Sequence, residues 1–440
     1  MQKFSVGRIL KQLSNLQLAI SLLFLIGGVI SLGTFIEQEQ NLNFYKTNYP
    51  TTSPILGFID WKFITFLSLD KIYTAPWFLL ILFLFAISLL ACTLTVQLPS
   101  LKGFRIWKFF SNLSSLKGIE DKLLLEDKNI FASQLHARNY HIFKQGKNIY
   151  AYSGLLGRLG PIVVHASIIL LLIGSTIGSF TGYTSQEIVP RGEIFHTQNL
   201  IQSGSLNYLP QNLSWRVNDF WITYTKEFKT NQFYSDISLL EVDGREIKRK
   251  TIFVNEPLIF NGLNLYQTDW DILGLKVKTE NNKTIQIPLK KIVKGRQKFW
   301  FGSLPVNNGG NSKSISLVVN DLQGKVYLYN EKGILLAQPS VGETFLFDST
   351  HSFTFLDFLT STGLQLKVDP GIKTVYFSFF LLIFSIYVSF ISYNQIWGIE
   401  KSPQIDIAGK SNRAVLFFQD EFRKMKKQST YKSDIKNLKI

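Results

Sequence analysis

Cysteine is all but missing from this chain: Cys92 is the single one in 440 residues. No intramolecular disulfide can form, and no site built from several thiolates is available. Cys92 itself lies in the apolar run SLLACTL, where a lone thiol reads as a small packing residue. Histidine is scarce too. Of the five, His136 and His141 stand five apart across an expected helix end, which is poor spacing for joint ligation. His196 and His351 have no cysteine or histidine nearby at ligand spacing. Glycine-rich phosphate loops are absent, because VNNGGNS is followed by no helix and reads as a turn. Asp269 and Asp271 flank Trp270 on one strand face, a pair that fits a solvated edge better than a catalytic one. These absences leave a self-contained hydrolase or metalloenzyme without its parts.

Acidic residues are also short. There are 31 against 47 basic ones, a net charge of +16. The excess is not spread evenly, since positions 181–371 carry 20 basic and 18 acidic side chains. The rest sits beside long apolar runs, a pattern that suits anionic lipid and the positive-inside rule and argues against a nucleic-acid-binding face.

Those runs are what the chain has in abundance. Four segments are apolar enough to cross about 30 Å of hydrocarbon at about 1.5 Å per residue. The mean hydropathy of +0.11 therefore averages membrane spans with a polar domain. The expected order is a tail at 1–15, a first span at 16–35, a loop at 36–76 and a second span at 77–96. A loop at 97–157 with a small helix and hairpin unit comes next, then a third span at 158–180. A large β-rich domain at 181–371, a fourth span at 372–396 and a basic tail at 397–440 complete it. The fold class is a polytopic α-helical membrane protein with four transmembrane helices and a large all-β lumenal domain between spans three and four. The first span is too long for a signal-peptide core, lacks a small-x-small cleavage site after it, and is read as retained. No transit peptide is visible. Basic flanks put both termini and the 97–157 loop on the cytoplasmic or stromal side, with the large domain on the periplasmic or lumenal side.

Smaller units follow from local pattern. LKGFRIWKFFSNL is amphipathic and basic and suits a membrane surface. A helix is expected around Asn129–Asn139, then a hairpin turning at Gln145–Asn148. In the large domain, short β-type runs such as RVNDFWITYT and FYSDISLLEV, with Asp243–Gly244 as a turn, predict an antiparallel sandwich or barrel. Trp270 is the aromatic of that domain to watch, with a core role the simpler reading.

One residue breaks the apolar pattern. His165 lies inside PIVVHASIILLLIGSTIGSF, the run 161–180. An ionisable group in hydrocarbon is costly and marks function by default. At 100° per residue, Gly160, Ser167, Gly174 and Gly178 fall within about 40° of one another, a stripe that lets helices approach closely. His165 lies roughly opposite, sharing its face with Arg158, Pro161, Ile168, Ile169 and Leu172. An imidazole in an apolar wall suits haem iron, with Arg158 about 10 Å away to meet a propionate. A proton relay and a structural hydrogen bond fit the same residue. The residues alone leave all three open.

Longer motifs narrow the choice. LAISLLFLIGGVISLGTFIEQ, WFLLILFLFAISLLACTL, GRLGPIVVHASIILLLIGSTIGSFTGYTSQEIVPRGEIF, FYSDISLL, VNEPLIFNGLNLYQTDW, LKVDPGI and NQIWGIE appear in order over nearly the whole chain. The sequence resembles the ResB-like (CcsB) family, the cytochrome c biogenesis proteins of the system II pathway. The resemblance implies haem delivery across a membrane and its attachment to apocytochrome c, including apocytochrome f, at Cys-x-x-Cys-His, with the membrane protein CcsA as partner. It implies that haem b is transient cargo, that His165 is an axial ligand to its iron within the membrane, and that the opposing ligand comes from CcsA. Some bacterial members carry a histidine at the end of the last span. Here Tyr393 and Asn394 stand there, so no haem role is assigned to that span. The chain is then a subunit of a haem-attachment complex with no active site of its own, in a plastid thylakoid membrane or its cyanobacterial counterpart. The alternatives are a scaffold that only stabilises CcsA and a proton-relay transporter; the absence of internal repeats and interrupted helices counts against the latter.

Overall fold

The computed structural model describes residues 6–99, 109–110, 121–125, 128–295, 297–308, 311–348, 351–401 and 404–437. Apart from Phe109 and Phe110, the amphipathic stretch 101–113 lies outside the described residues. Two compact units emerge, Met1–Thr176 with Gly371–Ile440, and Ile177–Pro370.

Among the described residues, four helices are long and apolar enough to cross a membrane: Leu16–Phe35, Pro76–Gln97, Gly160–Thr181 and Ile372–Phe390. Sequence chemistry sets several of their ends. Asn15 caps the first by accepting a hydrogen bond from the Gln17 N–H, and Pro76 opens the second with its φ already helical. Most leucine and phenylalanine side chains on these helices are unburied, as expected where hydrocarbon is the solvent.

Between the first and second spans, two short helices, Leu42–Asn48 and Trp61–Phe66, are capped by Asn41 and Asp60. Gln38 staples this segment, donating to the Ile36 and Leu69 carbonyls and accepting from the Ile72 N–H. The Tyr49 hydroxyl donates to Glu37 Oε2 at 2.6 Å. That bond holds the Glu37 carboxyl below its ordinary 4.5, while burial first, and then the bond to Glu37, pushes Tyr49 up to about 12. A carboxyl with a lowered folded pKa adds stability that is present above its unfolded value and lost as pH falls through the folded one. Thermal stability of the purified chain should therefore drop as pH falls below 4.5, and Tyr49→Phe should flatten that slope. An unchanged acid limb in the variant would refute the link.

The remainder of this unit corrects the division expected from sequence. The hairpin His141–Gln145 and Asn148–Ser153 forms as anticipated, with Gly146 at positive φ in its turn. It is only the edge of a five-stranded antiparallel sheet, in the order Asp121–Leu125, Gln404–Ser411, Asn394–Lys401, Asn148–Ser153, His141–Gln145. The two strands after the fourth span, expected to belong to a span end and a basic tail, are central to it. Helices Lys128–Ala137 and Val415–Asn437 cover one face, burying Phe131, Leu135, Ile149, Ile396, Phe418 and Phe422. Loop and tail thus lie on the same side of any membrane the spans cross. Ending the chain after Tyr393 removes both central strands and one covering helix. The level of chain in membranes should then fall far more than several-fold, since a loss of only ~1–2 kcal/mol already changes abundance several-fold. Immunoblotting reads this, and a normal level would refute it.

The second unit is all β, with antiparallel pairing throughout its described strands. Two 17-residue strands, Leu263–Thr279 and Ser352–Val368, pair along their whole length with three register shifts. One half of this ribbon helps bury Trp215, Val217, Ile237, Leu239, Leu265 and Leu364 against the sheet containing Leu213–Tyr224 and Thr230–Glu241. The other half buries Leu275, Val277, Leu304, Leu317 and Phe355 against the sheet containing Gln297–Asn308 and Asn311–Val319. Two sandwiches therefore share one bulged ribbon. Thr230–Glu241 turns at Asp243–Gly244 into Glu246–Phe253, with Gly244 at positive φ. Trp270 packs among Phe220, Phe233 and Trp300, partly buried at the edge of the second core.

Candidate functional site

The end of the second span builds the surroundings of His165. After Cys92 the helix widens into a π turn, Thr93–Gln97, in which the Leu98 N–H reaches the Thr93 carbonyl. A π turn holds more than four residues per turn, so positions four apart nearly eclipse, and such turns are frequent at functional sites. Thr93 and Gln97 consequently share a face, and that face meets the third span. Thr93 Oγ1 lies 3.0 Å from His165 Nδ1, and Gln97 Nε2 lies 3.3 Å from His165 Nε2.

Proton placement follows from the partners. Thr93 spends its hydroxyl hydrogen on the Leu89 carbonyl at 2.8 Å, so its oxygen accepts from His165 Nδ1–H. An amide nitrogen can only donate, so Gln97 makes His165 Nε2 the acceptor. The network assigns a neutral imidazole with its proton on Nδ1 and its lone pair on Nε2.

The rest of the third span divides into faces as the periodicity predicts. Gly160, Ser167 and Gly174 are buried, and the fourth span lies against the two glycines. A Cβ on Gly160 would stand 2.7 Å from Ser389 Cα, and one on Gly174 would stand 3.1 Å from Val375 N. Gly178 differs, because its neighbour is the Asp369 carboxylate. On the other side Ile168, Ile169 and Leu172 pack on the cluster of Ile26, Val29, Phe78, Phe85 and Leu89 from the first two spans. His165 is half-buried on the second-span side.

Arg158 sits elsewhere than a continuous helix would put it. Leu155–Arg158 is a 3₁₀ turn, and the spanning helix begins only at Gly160. Pro161 in the first turn is the signal for that start. The guanidinium lies over the Tyr393 ring at 4.7 Å, and the Tyr393 and Tyr150 hydroxyls are 3.1 Å apart. Arg158 is thus joined to the strand-forming segment after the fourth span, and His165 to the second span.

The other singled-out residues stay apart. His351 Nδ1 is 2.9 Å from Asp348 Oδ1 in a local turn, while His136, His141 and His196 are exposed. Cys92 is half-buried just before the π turn. Among the described residues no group of three or more histidine, cysteine or carboxylate side chains could hold a metal ion. Thr93 and Gln97 are the site residues that sequence reasoning passed over. Their spacing of four, polar at the end of an apolar run, was the available signal.

Comparison with known proteins gives a consistent result. The model of the ResB-like family matches residues 16–330. "Cytochrome c biogenesis protein Ccs1" of Emiliania huxleyi is 57% identical over 96% of both chains. The proteins of that name from Porphyra purpurea and Trieres chinensis are 46% and 42% identical, covering 96% and 95% of this chain and 96% and 99% of their own.

Proposed function

The chain belongs to the ResB-like family, and from that premise we propose that it is the haem-handling subunit of a cytochrome c assembly complex. Its place in cytochrome c biogenesis rests on relatives named for that process along nearly its full length. The finer reading is that it works with CcsA to carry haem b across the membrane and present it to apocytochrome c and apocytochrome f. The algal relatives and the basic flanks of the spans support a plastid thylakoid location, with the large domain in the lumen and the termini in the stroma.

The observation that carries this reading is the pair of side-chain contacts that hold the two nitrogens of His165. Haem iron takes a neutral imidazole nitrogen, and the macrocycle favours apolar walls. His165 offers a lone pair on Nε2 with Nδ1–H already engaged by Thr93, beside Ile168, Ile169 and Leu172. Those residues fit the cargo. No other span holds a histidine, so a second imidazole must come from another chain, for which CcsA is the proposed source. Arg158 is the proposed partner of a propionate, through a charge-assisted bond.

The test is spectroscopic. The complex purified with CcsA should show a haem Soret band that His165→Ala weakens and added imidazole partly restores. A spectrum unchanged by the substitution would overturn the ligand assignment.

A further inference from the structure

We propose that Thr93 is the positioning residue for His165, and that Gln97 is a displaceable cap on the nitrogen that takes the iron. This rests on the reading of His165 as a haem ligand and deepens it. A haem ligand must present one nitrogen lone pair in a fixed direction, which requires the other nitrogen to carry the proton and to be held. Thr93 meets both needs: its hydrogen is committed to the Leu89 carbonyl, so its oxygen accepts from Nδ1–H at 3.0 Å. Valine in its place would remove that acceptor from Nδ1–H and weaken the hold on this tautomer.

Gln97 occupies the opposite nitrogen. Its amide lies 3.3 Å from Nε2, in the direction an iron atom would bind. Iron and amide cannot share one lone pair, so loading requires the Gln97 side chain to swing away. The longer distance makes this the weaker of the two bonds. Haem-free His165 is therefore satisfied in the membrane and not left as an unsolvated polar group, and the cap gives way only to a stronger ligand. One helix holds both nitrogens because Thr93 and Gln97, four apart, stand on one of its faces.

The experiment uses the full-length chain in nanodiscs, with ferric haem b as probe and His165→Ala, Thr93→Val, Thr93→Ser and Gln97→Ala as variants. Without haem, nitrogen NMR of isotope-labelled histidine should show His165 protonated on Nδ1 in the wild type and in Thr93→Ser, and mixed tautomers in Thr93→Val. With haem, Thr93→Val should bind about tenfold or more weakly, and Thr93→Ser should recover most of the affinity. Gln97→Ala should bind about two- to tenfold more tightly, since it removes a competing hydrogen bond. Loss of the Soret band in His165→Ala with wild-type affinity and tautomer in the Thr93 and Gln97 variants would overturn this proposal alone. Unchanged haem binding in His165→Ala would overturn the reading beneath it. Should Thr93→Val fail to fold, Gln97→Ala and the wild-type tautomer still decide.

Discussion

His165→Ala is expected to end covalent haem attachment to apocytochromes while leaving the chain in the membrane near its normal level. Both halves follow from the contacts. The imidazole makes two hydrogen bonds to side chains of the chain, each worth about 0.5–1.5 kcal/mol, and Thr93 keeps its bond to Leu89 when the ring is gone. Alanine is the strongest helix former, and the packing of Ile168, Ile169 and Leu172 on the first two spans is untouched. Function has no such reserve, because no other span supplies an imidazole. Haem staining of c-type cytochromes, set against an immunoblot of the chain, reads the two quantities separately. Normal staining would reduce this chain to a scaffold for its partner.

Gly160→Leu should instead lower both measurements together. A Cβ at this position would stand 2.7 Å from Ser389 Cα and 2.8 Å from Ser389 N, and backbone atoms cannot repack as side chains do. Overpacking typically costs about 1–3 kcal/mol, and a collision with a neighbouring helix backbone belongs at the upper end. Because each 1.4 kcal/mol is about a factor of ten, the chain itself should fall about tenfold or more, taking cytochrome c with it. Gly27→Leu is the control, since a Cβ there meets nothing within 4 Å and faces the region lipid would fill. If Gly160→Leu and Gly27→Leu accumulate equally, the close helix contact is not what holds the third and fourth spans together.

What could be read from sequence alone has a physical boundary. The spans were legible because hydrocarbon imposes length and polarity directly on consecutive residues: the second, expected at 77–96, runs Pro76–Gln97. The two faces of the third span were legible because 100° periodicity separates Gly160 and Gly174 from His165 without reference to any partner. Strand content in the large domain was legible through alternation and turn residues. Its division into two sandwiches on one ribbon was not, since the shifts near Asp269, Gly274 and Val277 depend on which strand lies opposite. Thr93 and Gln97 were legible only as polar residues four apart, their role being defined by a residue about seventy positions away. Asn394–Ser411 was read as a span end and tail because its apolar residues sit among polar ones, and its partners precede it by roughly 250 positions.

That separation has a consequence for how the protein is made. The strand Asn148–Ser153 waits for Asn394–Lys401, and these lie on opposite sides of a 194-residue β unit, Ile177–Pro370, in the order of synthesis. At about 5–20 residues per second, the hairpin waits roughly 10–50 s with Ile149 and Tyr150 uncovered before its neighbour leaves the ribosome. The sheet can close only once the last span is in place, so its closure reports that insertion is finished. It acts as a timer on assembly.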